Sequence, residues 1–170
     1  MSRPARHRLL PLALALCATL GVAACTNDKD LADASGFGAG GAGGPARPGS
    51  PQDFVVNVGD RVFFESDSTD LTPTATATLD KQAAWLQRYP RYTFLIEGHA
   101  DERGTREYNF SLGARRAQSV NDYLASRGIA ASRMRTVSYG KERPVAVCND
   151  ISCWSQNRRA VSLLDGGAGS

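Results

Sequence analysis

The 170-residue chain is poor in the residues from which most metal sites and catalytic centres are built. It has four cysteines, two methionines and two histidines. Of the two histidines, only His99 lies beyond residue 24. Glu97, His99 and Asp101 alternate along one predicted strand, but a zinc site usually takes three or four ligands, and no second histidine lies beyond residue 24. The sequence also has no Gly-rich phosphate loop and no Ser/His/Asp set with the spacing of a known hydrolase. We therefore predict a protein without catalytic activity, metal or cofactor.

The body of the chain lacks an excess of either charge. The formal net charge of +3 comes from Arg3, Arg6 and Arg8, because no acidic residue occurs in the first 24 positions. Beyond Ala24, 17 basic residues face 17 acidic residues. A neutral chain has no broad cationic field to attract a phosphate backbone, so nucleic acid is not expected as a partner.

The longest uncharged apolar run, Leu9 to Ala24, has 16 residues. This is short of the roughly 20 that a membrane-spanning helix needs. The run follows three arginines and ends in small residues, which is typical of a secretory signal peptide over residues 1–24.

The end of this run, Val22-Ala23-Ala24-Cys25, resembles a bacterial lipobox. The resemblance implies that Cys25 is lipidated and becomes the first residue of a lipoprotein, since several acyl chains anchor a protein stably. The alternative is ordinary secretion, with a cysteine that follows the cleavage site by chance. In such lipoproteins an Asp after the cysteine favours the inner membrane. Thr26 is not Asp, so we expect an outer-membrane anchor with the domain facing the periplasm.

A low-complexity segment follows the predicted anchor. Of the 27 residues from Thr26 to Gln52, 17 are Gly, Ala, Pro or Ser. Such a segment cannot bury enough apolar surface to offset its ordering entropy. We therefore predict a lipidated N-terminus and flexible linker over 25–52, a folded domain over 53–165 and a frayed tail over 166–170.

Strand-like and helix-like patterns alternate in the predicted domain. Residues 54–58 and 61–65 are β-rich and predict a hairpin around Gly59-Asp60. Thr72 and Pro73 predict the start of a helix that ends before Pro90. A buried strand over 92–97 follows, and further strands are expected at 134–139 and 160–164.

A second helix is predicted from about Thr105 to Arg127, with Gly128 as its stop signal. Its expected apolar stripe is Phe110, Ala114, Ala117, Val120 and Leu124. The alternation of elements predicts an α/β fold: a two-layer sandwich of a mixed β-sheet with helices packed on it.

Cys148 and Cys153 are the only cysteines in the predicted domain. Because an exported protein meets an oxidising environment, a structural disulfide is the default expectation. A redox or metal site is the weaker alternative, since the spacing is Cys-x4-Cys and no histidine is near in sequence.

Three polar residues flank the start of the second helix. Asp101 follows the buried strand, while Asn109 and Arg116 are seven residues apart and so share a helix face. An Asp carboxylate opposite an Arg guanidinium forms a two-signed pocket that suits a zwitterion, because guanidinium binds carboxylate bidentately. The residue types alone leave a second possibility open, in which Asp101 and Arg116 simply pair with each other.

The segment EGHADERG followed by YNxxLGxRRA, together with VFFESDSTDLTP, resembles the OmpA C-terminal-like family of peptidoglycan-binding domains. The resemblance implies that family's fold and a non-covalent grip on the meso-diaminopimelate of the peptidoglycan stem peptide. It places the ligand-gripping residues of the family at Asp101, Arg116 and Asn109.

The resemblance also implies a contribution from the loop after the first strand, namely Phe64, Ser68, Asp70 and Leu71. Glu65-Ser66-Asp67 departs from the usual pattern, so which acid of this loop contributes stays open. Lipoproteins of this family link the outer membrane to peptidoglycan and work with TolB and other Tol proteins in envelope integrity and cell division. The alternative is a lipid-anchored module that docks TolB without binding the cell wall.

Overall fold

The structure is a computed structural model that describes residues 46–165. The predicted signal peptide, Cys25 and the tail 166–170 lie outside the described residues. Within the described part of the chain, no helix combines the length and the hydropathy that a membrane crossing requires.

Four strands and two long helices form the body of the domain. Strand order is β1-β4-β2-β3, with β2 and β3 parallel and the other neighbours antiparallel. The elements in chain order are α1 (Pro51–Asp53), a π-helical turn (Phe54–Val58), β1 (Arg61–Phe63), α2 (Pro73–Arg88), β2 (Phe94–His99), α3 (Arg106–Ser126), a 3-10 turn (Ala131–Arg133), β3 (Met134–Gly140), α4 (Ile151–Asn157) and β4 (Arg159–Leu164). This mixed sheet with packed helices confirms the predicted fold class.

The core lies between the sheet and helices α2 and α3. A hydrogen bond from Ser162 Oγ to Gln82 Oε1 (3.0 Å) ties β4 to α2 inside this layer. The central side chains are fully buried and come from both layers: Leu79, Leu86, Phe94, Ile96, Val120 and Leu124.

The predicted strand over 54–58 is wrong, because these residues form a π-helical turn. The Gly59 N–H donates to the carbonyl of Phe54 (2.9 Å), five residues earlier. Phe54 is buried against Trp85, with ring centroids 5.0 Å apart, whereas Val56 is 67% exposed. A strand would place Phe54 and Val56 on the same face, so their different exposure agrees with a helical turn, in which Phe54 packs on Trp85. The predicted hairpin is therefore absent.

The ordered domain begins before the predicted boundary at residue 53. The Gly49 carbonyl accepts hydrogen bonds from Tyr92 Oη (2.8 Å) and Arg91 Nη2 (2.7 Å). The Gly49 N–H donates to Asp53 Oδ2 (2.8 Å), and Ser50 Oγ caps the first helical turn. The last residues of the predicted linker are thus part of the packed domain.

Both long helices begin at the predicted positions, and a threonine caps each of them. Thr72 Oγ1 accepts from the Ala75 N–H (3.1 Å), and Thr105 Oγ1 accepts from the Tyr108 N–H (3.2 Å). The predicted stripe of α3 is partly wrong, since Phe110 is 56% exposed and Ala114 is exposed. The buried positions of α3 are instead Asn109, Leu112, Gly113, Arg116, Ala117, Val120 and Leu124.

Helix α4 was not predicted from the sequence. Asp150 caps it by accepting from the Ser152 N–H (2.8 Å). The predicted disulfide Cys148–Cys153 joins the loop before α4 to its first turn, with a Cα–Cα distance of 5.7 Å. Cys148, Asp150 and Cys153 lie close enough to hold a metal ion. However, the two sulfurs are bonded to each other and Asp150 caps the helix, so this cluster is structural.

Candidate functional site

A cleft of about 280 Å³ opens where β2 ends and α3 begins. Strand β2 delivers Asp101 to its rim, the loop after β1 contributes one wall and the first three turns of α3 contribute the other. The cleft is lined by Ser66, Asp67, Asp101, Arg103, Gly104, Tyr108, Asn109, Leu112 and Arg116.

Two glycines let α3 approach the sheet closely enough to build this cleft. A Cβ on Gly98 would overlap the backbone carbonyl of Gly113, so the helix and β2 touch backbone to backbone. A Cβ on Gly113 would lie 2.5 Å from Ser138 Oγ of β3. This close contact brings the Arg116 side chain within reach of the end of β2.

Asp101 is buried, and its carboxylate accepts four hydrogen bonds. Its Oδ1 accepts from the backbone N–H of Arg103 (3.2 Å) and from Arg103 Nε (3.1 Å). Its Oδ2 accepts from Arg103 Nη2 (2.6 Å) and from Arg158 Nη1 (3.4 Å). Burial opposes ionisation of Asp101, but these hydrogen bonds and the charge of Arg103 outweigh it and hold the pKa of Asp101 below its ordinary value. Asp101 therefore presents a carboxylate at neutral pH.

Arg116 is fully buried, although it is one of the residues that border the cleft. It donates to three backbone carbonyls: Ser68 from Nε (2.9 Å), His99 from Nη1 (2.9 Å) and Glu65 from Nη2 (3.1 Å). A guanidinium has five N–H groups, so two remain, one on each terminal nitrogen. Arg116 thus clamps the loop after β1 to the end of β2.

Burial, reinforced by the charge of Arg158, lowers the pKa of Arg116 to about 10. The side chain is still protonated at neutral pH, so a full positive charge sits at the base of the cleft. Phe64 lies beneath this charge, with its ring centroid 5.1 Å from the guanidinium carbon. Its ring supports the guanidinium by a cation–π contact.

Asn109 shares the cleft with Asp101 and Arg116. Its Nδ2 donates to the Arg103 carbonyl (2.7 Å), which fixes the tight turn that Gly104 makes with φ +86°. Beside it, the Tyr108 hydroxyl donates to the carboxylate of Asp67. The structure therefore brings together the three residues that the sequence placed in one pocket.

The four loop residues implied by the resemblance do not line this cleft. Phe64 lies under Arg116, while Ser68 offers its carbonyl to Arg116 and its Oγ to the Asp70 N–H (3.0 Å). Leu71 packs against the core. Of the three residues whose part was open, Ser66 and Asp67 line the cleft, and Glu65 supplies a carbonyl to Arg116.

Arg103 and Arg158 are part of the site but were not predicted. Arg158 is buried and donates to Asp101 and, through Nε, to the Phe64 carbonyl (3.0 Å). The signal for Arg103 was present in the Asp101-x-Arg103-Gly104 spacing, because a turn after a strand folds a side chain back two residues. Arg158 is distant in sequence and gave no such signal.

His99 points to the other side of the sheet and not into the cleft. Its ring stacks on Tyr139 (centroids 5.7 Å), and both ring nitrogens are buried without a hydrogen-bond partner. Glu97 Oε2 lies 3.4 Å from Nε2 but outside hydrogen-bond geometry. Burial, followed by the charges of Arg159 and Arg143, lowers the pKa of His99 to about 4. His99 is therefore a neutral packing residue.

A larger cleft of about 630 Å³ lies on the opposite flank of α3, lined by Arg106, Glu107, Phe110, Ser138, Tyr139 and Glu142. None of the residues proposed from the sequence borders it. It lacks the buried carboxylate and guanidinium of the smaller cleft, so the smaller cleft is the better candidate for recognising a charged ligand.

Comparison with known proteins shows the family of this chain. A family model described as "OmpA family" matches residues 63–158, more than half of the chain. The peptidoglycan-associated lipoprotein of Rhizobium meliloti is 64% identical over 161 residues, which cover 94% of this chain and 90% of that protein. The protein of the same name from Mesorhizobium japonicum is 56% identical over the full length of both chains. The chain therefore belongs to the OmpA family, and within it to the family of peptidoglycan-associated lipoproteins.

One solved structure supports the same assignment, and another shares the fold. The crystal structure of the peptidoglycan-associated lipoprotein from Burkholderia pseudomallei has a TM-score of 0.64 and 38% sequence identity, and the match covers 68% of this chain and 99% of that chain. The C-terminal domain of Helicobacter pylori MotB matches with a TM-score of 0.59 at 22% identity, over 64% of this chain and 86% of that chain. At that identity the likeness shows the fold alone.

Proposed function

We propose that this chain is a lipoprotein whose domain binds peptidoglycan without covalent chemistry. The ligand group is the zwitterionic end of meso-diaminopimelate in the stem peptide, and it enters the cleft that Asp101, Asn109 and Arg116 border. The name shared by the full-length relatives supports this function at the level of the whole protein.

One observation carries the assignment of the site. Asp101 and Arg116 border the same cleft, and within residues 46–165 no hydrogen bond or ion pair joins them. A zwitterion presents an ammonium and a carboxylate on one carbon atom. The Asp101 carboxylate suits the ammonium, the two remaining N–H groups of Arg116 suit the carboxylate, and Asn109 fixes the turn between them.

The proposal extends to the anchor and the partners. Lipid attached to Cys25 holds the domain to the outer membrane on its periplasmic side, so that wall binding links the membrane to peptidoglycan. TolB and other Tol proteins are the proposed protein partners, in the Tol-Pal system of envelope integrity and cell division. Labelled palmitate should enter the wild-type chain and not a Cys25→Ala variant. An unlabelled wild type would contradict the anchor.

Sedimentation with purified sacculi tests the wall-binding function. The wild-type chain should pellet with sacculi, and Asp101→Asn should remain in the supernatant because the amide cannot neutralise an ammonium. Asp122→Asn is the matched control, since Asp122 lies on α3 outside the cleft and changes the same charge. A wild type that binds TolB but does not sediment would favour the docking module over the wall binder.

No chemical step belongs to this proposal. Incubation of the chain with sacculi should release no muropeptides, and release that depends on Asp101 would replace the binding function by a hydrolytic one.

A further inference from the structure

Arg103 is hydrogen-bonded to the Asp101 carboxylate, the group that the proposed function assigns to binding the ligand's ammonium. Through its backbone N–H, Nε and Nη2 it supplies three of the four hydrogen bonds that Asp101 accepts. Arg158 supplies the fourth. A carboxylate has about four acceptor positions, so Asp101 has none left for an incoming ammonium.

The two arginines differ in how easily a ligand could displace them from Asp101. The side chain of Arg158 is 6% exposed and is also bonded to the Phe64 carbonyl, whereas the side chain of Arg103 is 43% exposed. Arg103 is therefore the partner that a ligand can displace. Its backbone N–H and Arg158 would continue to hold Asp101 during the exchange.

Arg103 has contacts that keep it at the rim after it leaves Asp101. Its Nη2 donates to Ser66 Oγ (2.9 Å), and its guanidinium carbon lies 4.2 Å from the ring centroid of Trp154. Trp154 is itself held by a hydrogen bond from its Nε1 to the carboxylate of Glu102. A guanidinium retained on this aromatic face stays available to an anion in the cleft, and it can bind a carboxylate bidentately.

We propose that Arg103 is a specificity-determining residue that stands in for the ligand's ammonium in the empty cleft and pairs with the ligand's carboxylate in the occupied one. This inference rests on the proposed function. A ligand with an ammonium alone must displace Arg103 without giving it a new partner. A ligand with both charges replaces the Asp101–Arg103 pair that it breaks, because its ammonium pairs with Asp101 and its carboxylate pairs with Arg103. Arg103 thereby favours diaminopimelate over lysine at the third position of the stem peptide.

Binding of two synthetic stem tripeptides to the purified chain, measured by isothermal titration calorimetry, tests this role. The peptides L-Ala-γ-D-Glu-meso-diaminopimelate and L-Ala-γ-D-Glu-L-Lys differ only in the carboxylate at the end of the third side chain. The wild type should prefer the diaminopimelate peptide by at least tenfold. In Arg103→Gln that ratio should fall at least fivefold, partly because the lysine peptide binds more tightly once its competitor is gone.

Two further variants separate specificity from folding and from net charge. Arg103→Lys keeps the charge but not the planar fork, so it should retain only part of the preference. Arg115→Gln removes an exposed arginine that does not line the cleft and should leave the ratio unchanged. Thermal melting of each variant should stay within a few degrees of wild type.

The possible outcomes are distinct. A wild type that binds neither peptide contradicts the proposed function itself. A wild type that prefers diaminopimelate, together with an Arg103→Gln variant of unchanged preference, overturns only the role of Arg103. An Arg103→Gln variant that loses affinity for both peptides by the same factor also overturns it, because a merely structural role predicts that result.

Discussion

Asp101 and Arg116 face one cleft but are held by different partners. Asp101 binds Arg103 and Arg158, while Arg116 donates to the backbone carbonyls of three residues. The direct pair between them, which the sequence left open, is absent. The cleft therefore keeps two separate charges of opposite sign, and each is positioned by a different part of the fold.

Arg116→Ala should destabilise the domain strongly, so this variant alone is a poor test of ligand binding. It removes a fully buried side chain and leaves the carbonyls of Glu65, Ser68 and His99 without their donor. We expect the free energy of unfolding to fall by about 3 to 5 kcal/mol. Urea denaturation followed by circular dichroism measures the change.

The neighbouring arginine provides the control. Arg115 is exposed, so Arg115→Ala should change the free energy of unfolding by no more than about 0.5 kcal/mol. Equal effects of the two substitutions would mean that the carbonyl contacts of Arg116 contribute nothing to stability.

Gly98→Ala should separate α3 from the sheet. The new methyl group would overlap the Gly113 carbonyl, and the helix backbone must move to accommodate it. We expect a loss of about 1 to 3 kcal/mol or more in unfolding free energy, together with weaker binding to sacculi because the cleft widens. Ser111→Ala, on the exposed face of α3, should affect neither property. A Gly98→Ala variant as stable as wild type would contradict the backbone contact.

The stability of the domain should decrease as the pH falls from about 6.5 towards 4, in part because of His99. Its pKa is about 4 in the folded protein, against about 6.5 when unfolded. Below pH 6.5 the unfolded chain therefore binds a proton that the folded chain does not, and protonation favours unfolding. The loss attributable to His99 alone is about 3 kcal/mol once the pH is below 4.

His99→Phe isolates this contribution, because an aromatic ring is kept at this position while the titrating imidazole is removed. Between pH 6.5 and 4, the unfolding free energy of the variant should depend less steeply on pH than that of the wild type. Parallel pH profiles of the two proteins would show that His99 is not held neutral by burial and by Arg143 and Arg159.

Replacing both Cys148 and Cys153 with serine should reduce the unfolding free energy by about 2 kcal/mol, the value expected for closing so short a loop. Because α4 carries Trp154, which stacks on Arg103, we also expect a small change in affinity for sacculi. Adding a reductant to the wild type should produce the same shift. If reduction leaves the thermal transition unchanged, the disulfide has no stabilising role.

The sequence was sufficient to predict the two long helices, because each has local start signals. Thr72 with Pro73 and Thr105 with its capped first turn act within a few residues. The segment 54–58 could not be predicted in the same way. Its β-rich composition favours a strand, but packing of Phe54 on Trp85, which is 31 residues away, decides in favour of a helical turn.

The candidate site was likewise predictable where its signals are local and not where they depend on tertiary contacts. Asp101, Asn109 and Arg116 could be placed together from helix geometry and from the resemblance to a family, because their spacing is local. The partners that hold them depend on tertiary contacts. Arg158 meets Asp101 across 57 residues, and the carbonyls that Arg116 clamps lie up to 51 residues away. Such backbone acceptors leave no trace in the residue types.

The most direct test of the central claim is competition for wall binding by a free amino acid. The purified chain is sedimented with sacculi in the presence of increasing meso-diaminopimelate. The reference, at the same concentrations, is Nα-acetyl-L-lysine amide, which keeps the side-chain ammonium but has no zwitterionic carbon. We predict that diaminopimelate releases the chain into the supernatant at concentrations where the blocked lysine does not. Release by neither compound, or equal release by both, would contradict recognition of a zwitterion in the cleft of Asp101 and Arg116.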